Sequence, residues 1–395
     1  MFVFVAIVQC ILSSSTSSTG NVIYVDQSAA GPLHDGSSWC GAFVDLQDAL
    51  AISVAGDDIH VANGSYLPDQ GTGDRTASFQ LIDGVGLYGG YAGCGAVDPN
   101  ARDVTLFESV LSGDLIGDDV LFTNEPDCIN AAGVWYGVLC NRIGNNYENA
   151  YHVVVSTDNN ETAILDGFTV SDGNANAPGQ GATPASRDQG SGINIYFGNP
   201  TLRNCIFENN RAGNHGAVND HGGATLLNCE IRGNFANRWG GGLHNHANIQ
   251  TSARDCLFYA NATAGTAGGG GGMFVKGQPT LINCIFSDNV SATNGGAMYN
   301  DAGAVPTLID CTFTENSASL GGALYNTDGG SPIMTNCSIT DNTATEFGGG
   351  MYNILESHGV LTNCTFRANT AQSGGAIYLR LDSDPTLEGC TIIEN

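Results

Sequence analysis

The stretch NCIFSDNVSATNGGAMYN (residues 283–300) is one unit of a pattern that recurs through the second half of the chain. A cysteine is followed by Phe or Ile two residues later and by asparagine five residues after the cysteine, and a pair of small residues then precedes a second short apolar stretch. A repeat of 20 to 50 residues indicates a stacked fold rather than independent globular domains. The cysteine occurs eight times, at spacings of 24 to 28 residues: Cys205, Cys229, Cys256, Cys284, Cys311, Cys337, Cys364 and Cys390.

Each unit contains two short stretches in which apolar and polar residues alternate, which is typical of β-strands. Neither stretch can bury its apolar side alone, but stacked units pair equivalent strands as a parallel sheet. The alternation predicts that the cysteines and the Phe or Ile residues point inward. A further inward column is predicted at Val218, Leu243, Met273, Met298, Leu324, Met351 and Ile377.

One asparagine recurs at a turn of every unit, where it tolerates left-handed backbone angles and can hydrogen-bond to its neighbours up and down the stack. The turn glycines would break every helix of an α-solenoid, and the leucine positions of a leucine-rich repeat are filled here by other residues. The sequence therefore predicts an all-β protein, a single-stranded right-handed parallel β-helix solenoid, whose eight coils extend about 38 Å at about 4.8 Å each. The asparagines are Asn210, Asn234, Asn261, Asn289, Asn316, Asn342, Asn369 and Asn395.

Three regions follow from this pattern. Residues 1–20 combine the apolar run FVFVAIVQCIL with small polar residues, which is typical of a signal peptide, although the usual basic residues are missing. Residues 21–189 are predicted to form an N-terminal cap and irregular early coils with insertions, and Phe43, Leu46 and Leu50 lie on one side of a short capping helix. Residues 190–395 form the regular coils. The end at a turn asparagine without a polar cap predicts a longer natural protein.

The chain carries 39 acidic residues against 12 basic ones, a formal net charge of −27, and 42% hydrophobic residues. The hydrophobic content predicts a folded core, so the acidity belongs to the surface. Such a surface repels nucleic acid, and the expected partners are cations, glycans or proteins. The eight repeat cysteines are expected to pack as free, small hydrophobic residues, whereas Cys40 with Cys94 and Cys128 with Cys140 are better candidates for disulfides.

Histidines gather on two neighbouring coils. Aligning the units places His221 beneath His246, with His244 and Asp220 near the same edge. Imidazoles and a carboxylate together can bind Zn²⁺ or Cu²⁺, so these four residues are a candidate metal site. The alternative is that they are solvated turn residues without a ligand.

An aromatic ladder is predicted on the outer side of the same strands. Because these residues alternate with the inward column, they should be exposed and could stack on sugar rings or on a partner protein. The alternative is stacking between coils for stability alone. The ladder consists of Phe274, Tyr299, Tyr325, Tyr352 and Tyr378, with His244 at its start.

Two acidic loops could hold Ca²⁺ through Asp114, Asp118, Asp119 or Asp172. Neither loop has the full alternating spacing of a calcium-binding loop, so ordinary turns are the alternative. No other metal or cofactor is expected.

The combination of F-x-x-N (Phe286 to Asn289) with G-G-A-[ILMV] (Gly295 to Met298) resembles the repeat of polymorphic outer-membrane proteins. The N-terminal segments IYVD, VANGSY and LYGGYAG are similar to the entry region of secreted bacterial right-handed β-helix repeat proteins of the pectate-lyase-like superfamily. The resemblance implies secreted or outer-membrane surface proteins, often adhesin-like, without a cofactor or an assigned catalytic residue.

The expected function is a secreted or cell-surface protein, non-enzymatic, that acts in adhesion or envelope structure through the side of the solenoid. Its partner would be a cell-surface glycan or protein, and the oligomeric state stays open. The alternative is a polysaccharide-acting enzyme, a lyase or hydrolase, or an inactive glycan-binding relative. Asn326-Thr327-Asp328 matches one element of the polygalacturonases, but their adjacent Asp pair, Gly-His-Gly and Arg-x-Lys elements do not accompany it.

Overall fold

The computed structural model describes residues 20–122, 124–130, 135, 140, 143–177, 187–265 and 268–395. Within these residues the chain winds as a parallel β-solenoid, and each regular coil from residue 201 to 353 contributes one short strand to each of four parallel sheets, here called faces I to IV in chain order. The predicted fold class, a right-handed parallel β-helix, is confirmed, and the solenoid has about 12 turns. No helix in the described ranges is long and apolar enough to cross a membrane.

Faces I and II lie next to each other along every coil. The strands of face I are Val22–Val25, Asp58–Ala62, Gly86–Tyr91, Ile164–Asp166, Thr201–Arg203, Thr225–Leu227, Ser252–Arg254, Thr280–Ile282, Thr307–Ile309, Ile333–Thr335, Val360–Thr362 and Thr386–Glu388. The strands of face II are Gly64–Tyr66, Ser109–Ser112, Phe168–Ser171, Ile206–Glu208, Glu230–Arg232, Leu257–Tyr259, Ile285–Ser287, Thr312–Thr314, Ser338–Thr340, Thr365–Arg367 and Thr391–Ile393.

Faces III and IV complete the coil. The strands of face III are Asn174–Ala175, Arg211–Ala212, Phe235–Ala236, Ala262–Thr263, Val290–Ser291, Ser317–Leu320 and Thr343–Phe347. The strands of face IV are Phe79–Gln80, Val154–Thr157, Ile193–Tyr196, Val218–Asp220, Leu243–Asn245, Met273–Val275, Met298–Asn300, Leu324–Asn326, Met351–Asn353 and Ile377–Leu379. Between faces III and IV the backbones approach so closely that a Cβ at Gly296 would clash with the carbonyl oxygen of Gly322.

The predicted inward columns are confirmed. Phe258 pairs with Phe286, and Phe286 with Phe313, so the three rings stack inside the solenoid with centroids 4.4 and 5.0 Å apart. Each fully buried side chain of this size contributes about 1.5–3 kcal/mol relative to an exposed one. The repeat cysteines are free thiols, seven of them buried and Cys390 partly exposed, as predicted. One continuous hydrophobic core therefore runs along the whole axis.

The turn asparagines form a hydrogen-bonded ladder inside the solenoid. Asn289 is fully buried, and its side-chain nitrogen donates to Oδ1 of Asn316 at 3.0 Å and to the carbonyl of Phe258 at 2.9 Å. The prediction of left-handed angles at these asparagines is wrong, because the positive φ falls one residue earlier, as at Asp288 (56°) and Ala260 (51°). The chain turns at that earlier residue, which leaves the asparagine free to point its amide inward.

The early coils contain two small helices and an insertion. The capping helix begins at Leu46 and ends at Ile52, packs against the strand Val22–Val25, and buries Leu46, Ala49 and Leu50. Phe43 precedes this helix and pairs with Val25 instead of lying on the helix. A 3-10 helix, Trp39–Gly41, lies just before it.

An insertion follows face II of the early coils. It contains the antiparallel pair Val120–Leu121 and Ile143–Gly144 and the helix Glu125–Asn130. Both predicted disulfides, Cys40–Cys94 and Cys128–Cys140, are present. The apolar run of the predicted signal peptide lies outside the described residues.

Candidate functional site on face IV

Strand alternation places one outward column of side chains along face IV. Pairing in register aligns Asn219 with His244, His244 with Phe274, and Phe274 with Tyr299, and the tyrosines continue the column. A second column lies beside it, where single bridges pair His215 with Trp239. The two columns form the candidate site, which has a histidine part at its start and an aromatic part after it.

The aromatic part stacks as predicted, but much of it is not exposed. From Phe274 to Tyr378, successive ring centroids are 4.9, 4.8, 5.2 and 5.4 Å apart. Phe274 is fully buried, Tyr352 is 2% exposed and Tyr325 is 8% exposed. The expectation of an exposed ladder is therefore wrong for these three rings, because neighbouring rings pack on one another, edge-on from Phe274 to Tyr325 and face to face from Tyr325 to Tyr378. Tyr299 and Tyr378 are only partly buried.

Flanking side chains close the edges of the ladder. Trp239 packs against Phe274 at a centroid distance of 5.8 Å, and Phe347 packs against Tyr378 at 4.6 Å. This arrangement favours stacking between coils for stability over stacking on sugar rings.

Four imidazoles form a compact group at the start of the column. The rings of His215 and His244 are parallel with centroids 3.8 Å apart, and the rings of His221 and His246 are stacked at 3.1 Å. His246 also lies edge-on to His244 at 4.0 Å. One ligand nitrogen from each of His215, His244 and His246 lies within 4.8 Å of the other two. The structure thus brings three histidines within reach of one metal ion.

Asn219 holds two of these rings. Its Oδ1 lies 3.0 Å from Nδ1 of His215 and 2.9 Å from Nε2 of His246. Burial lowers the pKa of His215 to about 3. Burial also lowers the pKa of His244 and of His246 well below the ordinary value of a histidine. All three imidazoles are therefore neutral at physiological pH, which is the protonation state that metal binding requires.

Asp220, which the sequence placed with the histidines, is engaged elsewhere. Its side chain lies on the inward side of its strand, fully buried, and accepts hydrogen bonds from the backbone nitrogens of Gly222, Gly223 and Ala224. Thr251 also donates its hydroxyl to Asp220. Alternation explains this, because Asp220 is two residues from the inward Val218.

His215 and Asn219 were not singled out from the sequence. The only signal available was a histidine at a position where later coils carry glycine or asparagine, such as Gly269 and Asn294 in the same bridged column. The turn between faces III and IV varies in length, so the repeat motif alone does not align His215 with Trp239.

A charged edge borders the aromatic part. Nζ of Lys276 lies 3.6 Å from Oδ2 of Asp301, just after the strands that carry Phe274 and Tyr299. Burial, together with the charges of Tyr352, Asp328 and Asp301, raises the pKa of Tyr325 to about 12.

The acidic loop of the insertion also converges. Carboxylate oxygens of Asp114, Asp118, Asp119 and Glu148 lie within 4.8 Å of one another. Burial raises the pKa of Asp119 to about 7, and nearby carboxylates add to the shift. Asp114 uses both oxygens as a turn residue, accepting from the nitrogens of Gly117, Asp118 and Asp119, which supports the ordinary-turn alternative.

The fourth acidic residue predicted for calcium, Asp172, lies beside this group rather than in it. Its backbone carbonyl accepts from Nδ2 of Asn149 at 2.6 Å, and the same nitrogen donates to Oδ2 of Asp119 at 2.7 Å. Burial raises the pKa of Asp172 to about 6. The sequence missed Glu148, which lies far from Asp114 along the chain.

Comparison with known proteins reports on the fold. A family described as "Right handed beta helix region" matches residues 294–395. No curated protein matches the sequence. Among solved structures, pectate lyase Pel9A has a TM-score of 0.46 and 12% identity, over 93% of this chain and 79% of that one.

Two structures of a GH136 lacto-N-biosidase from Eubacterium ramulus are also similar. The native protein has a TM-score of 0.37 and 11% identity, and the selenomethionine derivative has 0.36 and 10%. Both comparisons cover 95% of this chain and 68% of the other. The family match agrees with a chain built as a right-handed parallel β-helix.

Proposed function

We propose that the chain is a secreted or cell-surface β-helix repeat protein that acts without catalysis, in adhesion or envelope structure, through the side of its solenoid. The observation that carries this proposal is an uncharged strip on face I. Four successive strands, TLI, TLI, IMT and VLT, point eight uncharged side chains outward, although the chain has a net charge of −27. The strip consists of Thr280, Ile282, Thr307, Ile309, Ile333, Thr335, Val360 and Thr362.

The strip is open to a partner. Ile333 is 42% exposed and Val360 is 41% exposed, and the strands stay in register without an insertion. Hydroxyl and branched apolar side chains repeat at about 4.8 Å, which suits a flat partner surface or a glycan of low charge.

Exposed amides border the strip at the following turn. Nδ2 of Asn336 donates to Oδ1 of Asp310 at 3.1 Å, and Nδ2 of Asn283 donates to Oδ1 of Asp255 at 2.7 Å. These polar groups add directional hydrogen bonding beside an apolar centre, the usual composition of a binding surface. The resemblance to polymorphic outer-membrane protein repeats supports a location at the cell surface.

The test compares two charge-adding variants that differ only in the face changed. Thr307→Lys with Ile333→Lys places two cations on the strip, and Thr312→Lys with Ser338→Lys places them on face II of the same coils. Binding is measured on intact bacterial and host cells and on a glycan array. We expect the face I variant to lose most of the wild-type binding and the face II variant to retain it. Equal binding by both variants would refute the role of the strip.

A polysaccharide-acting enzyme is the second candidate, and the charged edge of face IV favours it. Lys276, Asp301 and Asp328 supply one cation and two carboxylates near Tyr299 and Tyr325. Acid and base groups of this kind are what glycosidic bond cleavage needs. Release of reducing ends or unsaturated products from acidic and neutral polysaccharides, with and without Ca²⁺, tests this. Turnover that disappears in Asp301→Asn or Asp328→Asn would replace the non-enzymatic proposal.

A further inference from the structure

We propose that His215, His244 and His246 bind one divalent transition metal ion of the kind that prefers imidazole, Zn²⁺ or Cu²⁺, on face IV. The three rings come from two successive coils, His215 from the column beside face IV and the other two from the next coil. A ligand nitrogen from each lies within 4.8 Å of the others. Nitrogens bound to one tetrahedral zinc ion at about 2.0–2.1 Å lie about 3.3 Å apart, so the three rings must draw closer when the ion binds.

Asn219 determines which nitrogen is protonated in two of the proposed ligands. Its side-chain nitrogen donates to Oδ1 of Asn194 at 2.8 Å, which fixes Oδ1 of Asn219 as the atom that faces the histidines. An amide oxygen only accepts, so Nδ1 of His215 and Nε2 of His246 must be the protonated nitrogens. Nε2 of His215 and Nδ1 of His246 then carry free lone pairs. Metal-binding histidines ordinarily donate their second N–H to a carbonyl or carboxylate in this way.

The third proposed ligand, His244, gives independent support for a bound ion. His244 is 2% exposed, and its Nδ1 is buried without a hydrogen-bond partner. An unpaired buried polar atom is unfavourable, and a bound metal ion would give this nitrogen a partner. Phe274 stacks on the other face of the ring at 5.0 Å and holds its orientation.

Two cations and one open coordination position complete the surroundings of the site. Lys276 and Arg238 lie near the histidines, and Lys276 is paired with Asp301. Three imidazoles leave a fourth coordination position of a tetrahedral ion open, which is typical of sites that bind water or an exogenous ligand. His221 stacks on His246 but does not belong to the converging set, so it provides a matched control.

The experiment titrates ZnCl₂ into the full chain by isothermal calorimetry, using wild type, His246→Gln and His221→Gln. We expect one ion per chain for wild type, a loss of affinity of about 100-fold or more in His246→Gln, and a change below about 10-fold in His221→Gln. Absence of binding by wild type, or the same affinity in wild type and His246→Gln, would overturn the site.

A second measurement does not depend on a variant that folds. Electron paramagnetic resonance of the wild-type chain loaded with one equivalent of Cu²⁺ reports the number of nitrogens bound to copper. Couplings from three imidazole nitrogens are expected. A spectrum without imidazole coupling, or one dominated by oxygen ligands, would show that copper binds elsewhere and would also overturn the proposal.

Discussion

Removal of one ladder asparagine should destabilise the solenoid far more than removal of an exposed one. In Asn316, Oδ1 accepts from the backbone nitrogen and Nδ2 of Asn289, both at 3.0 Å. Its own Nδ2 donates to the carbonyls of Phe286 and Thr314 and to Oδ1 of Asn342. Since Nδ2 has two hydrogens, about four full hydrogen bonds are lost in Asn316→Ala, and at about 1 kcal/mol each the expected loss is about 4 kcal/mol.

The matched control is Asn199→Ala. Asn199 is exposed and makes one long contact, 3.5 Å from Oε2 of Glu161, so its removal should change stability by less than about 0.5 kcal/mol. Both free energies are measured by chemical denaturation approached from the folded and the unfolded side. Hydrogen exchange should also show faster exchange of the amide of Asn289, which loses its acceptor. A loss below about 1 kcal/mol in Asn316→Ala would refute the reasoning that the ladder stabilises the stack.

Two further predictions concern pH. Burial lowers the pKa of His60 to about 4. The unfolded chain therefore binds a proton below about pH 6.5 that the folded chain does not, so stability falls from there to about pH 4. His60→Phe should flatten this fall in thermal melts, and an unchanged slope would contradict the prediction. The raised pKa of Asp119, about 7, makes stability depend on pH in the opposite direction. The folded chain keeps a proton that the unfolded chain loses above about pH 4, so stability falls as pH rises to about 7. Asp119→Asn, measured in the presence of a chelator, should remove that decline, and a melting temperature that still falls equally would disprove it.

The repeat pattern predicted the columns of the solenoid because alternation and a 26- to 27-residue spacing together fix which residues pair between most coils. Met273, Met298 and Leu324 align in the structure as they do in the sequence. The position of the left-handed residue was not predictable from residue type. Ala260 adopts φ of 51° although alanine gains nothing there, because the geometry of the turn imposes it.

The candidate site was predictable only in part. The alternation of residues shows on which side of a strand a side chain lies, and it placed His244 and the tyrosines outward. It does not show whether other side chains cover that side. Of the two residues that close the edges of the ladder, Trp239 lies in a turn of variable length between faces III and IV, and Phe347 ends the strand Thr343–Phe347 of face III. The same variable turns carry His215, so its approach to His244 and His246 depends on loop geometry that no motif encodes.

The free thiols make each coil separately observable. Sγ of Cys284 lies within 3.6 Å of the carbonyls of Ala253 and Ile282, and the other repeat cysteines have equivalent surroundings. Eight such groups stand one coil apart, and only Cys390 is partly exposed. An alkylating reagent can therefore reach an inner sulfur only when that coil opens, and peptide mapping of the modified cysteines over time would record the order in which the solenoid unwinds. The repeat cysteines therefore serve as evenly spaced probes of local unfolding along the axis.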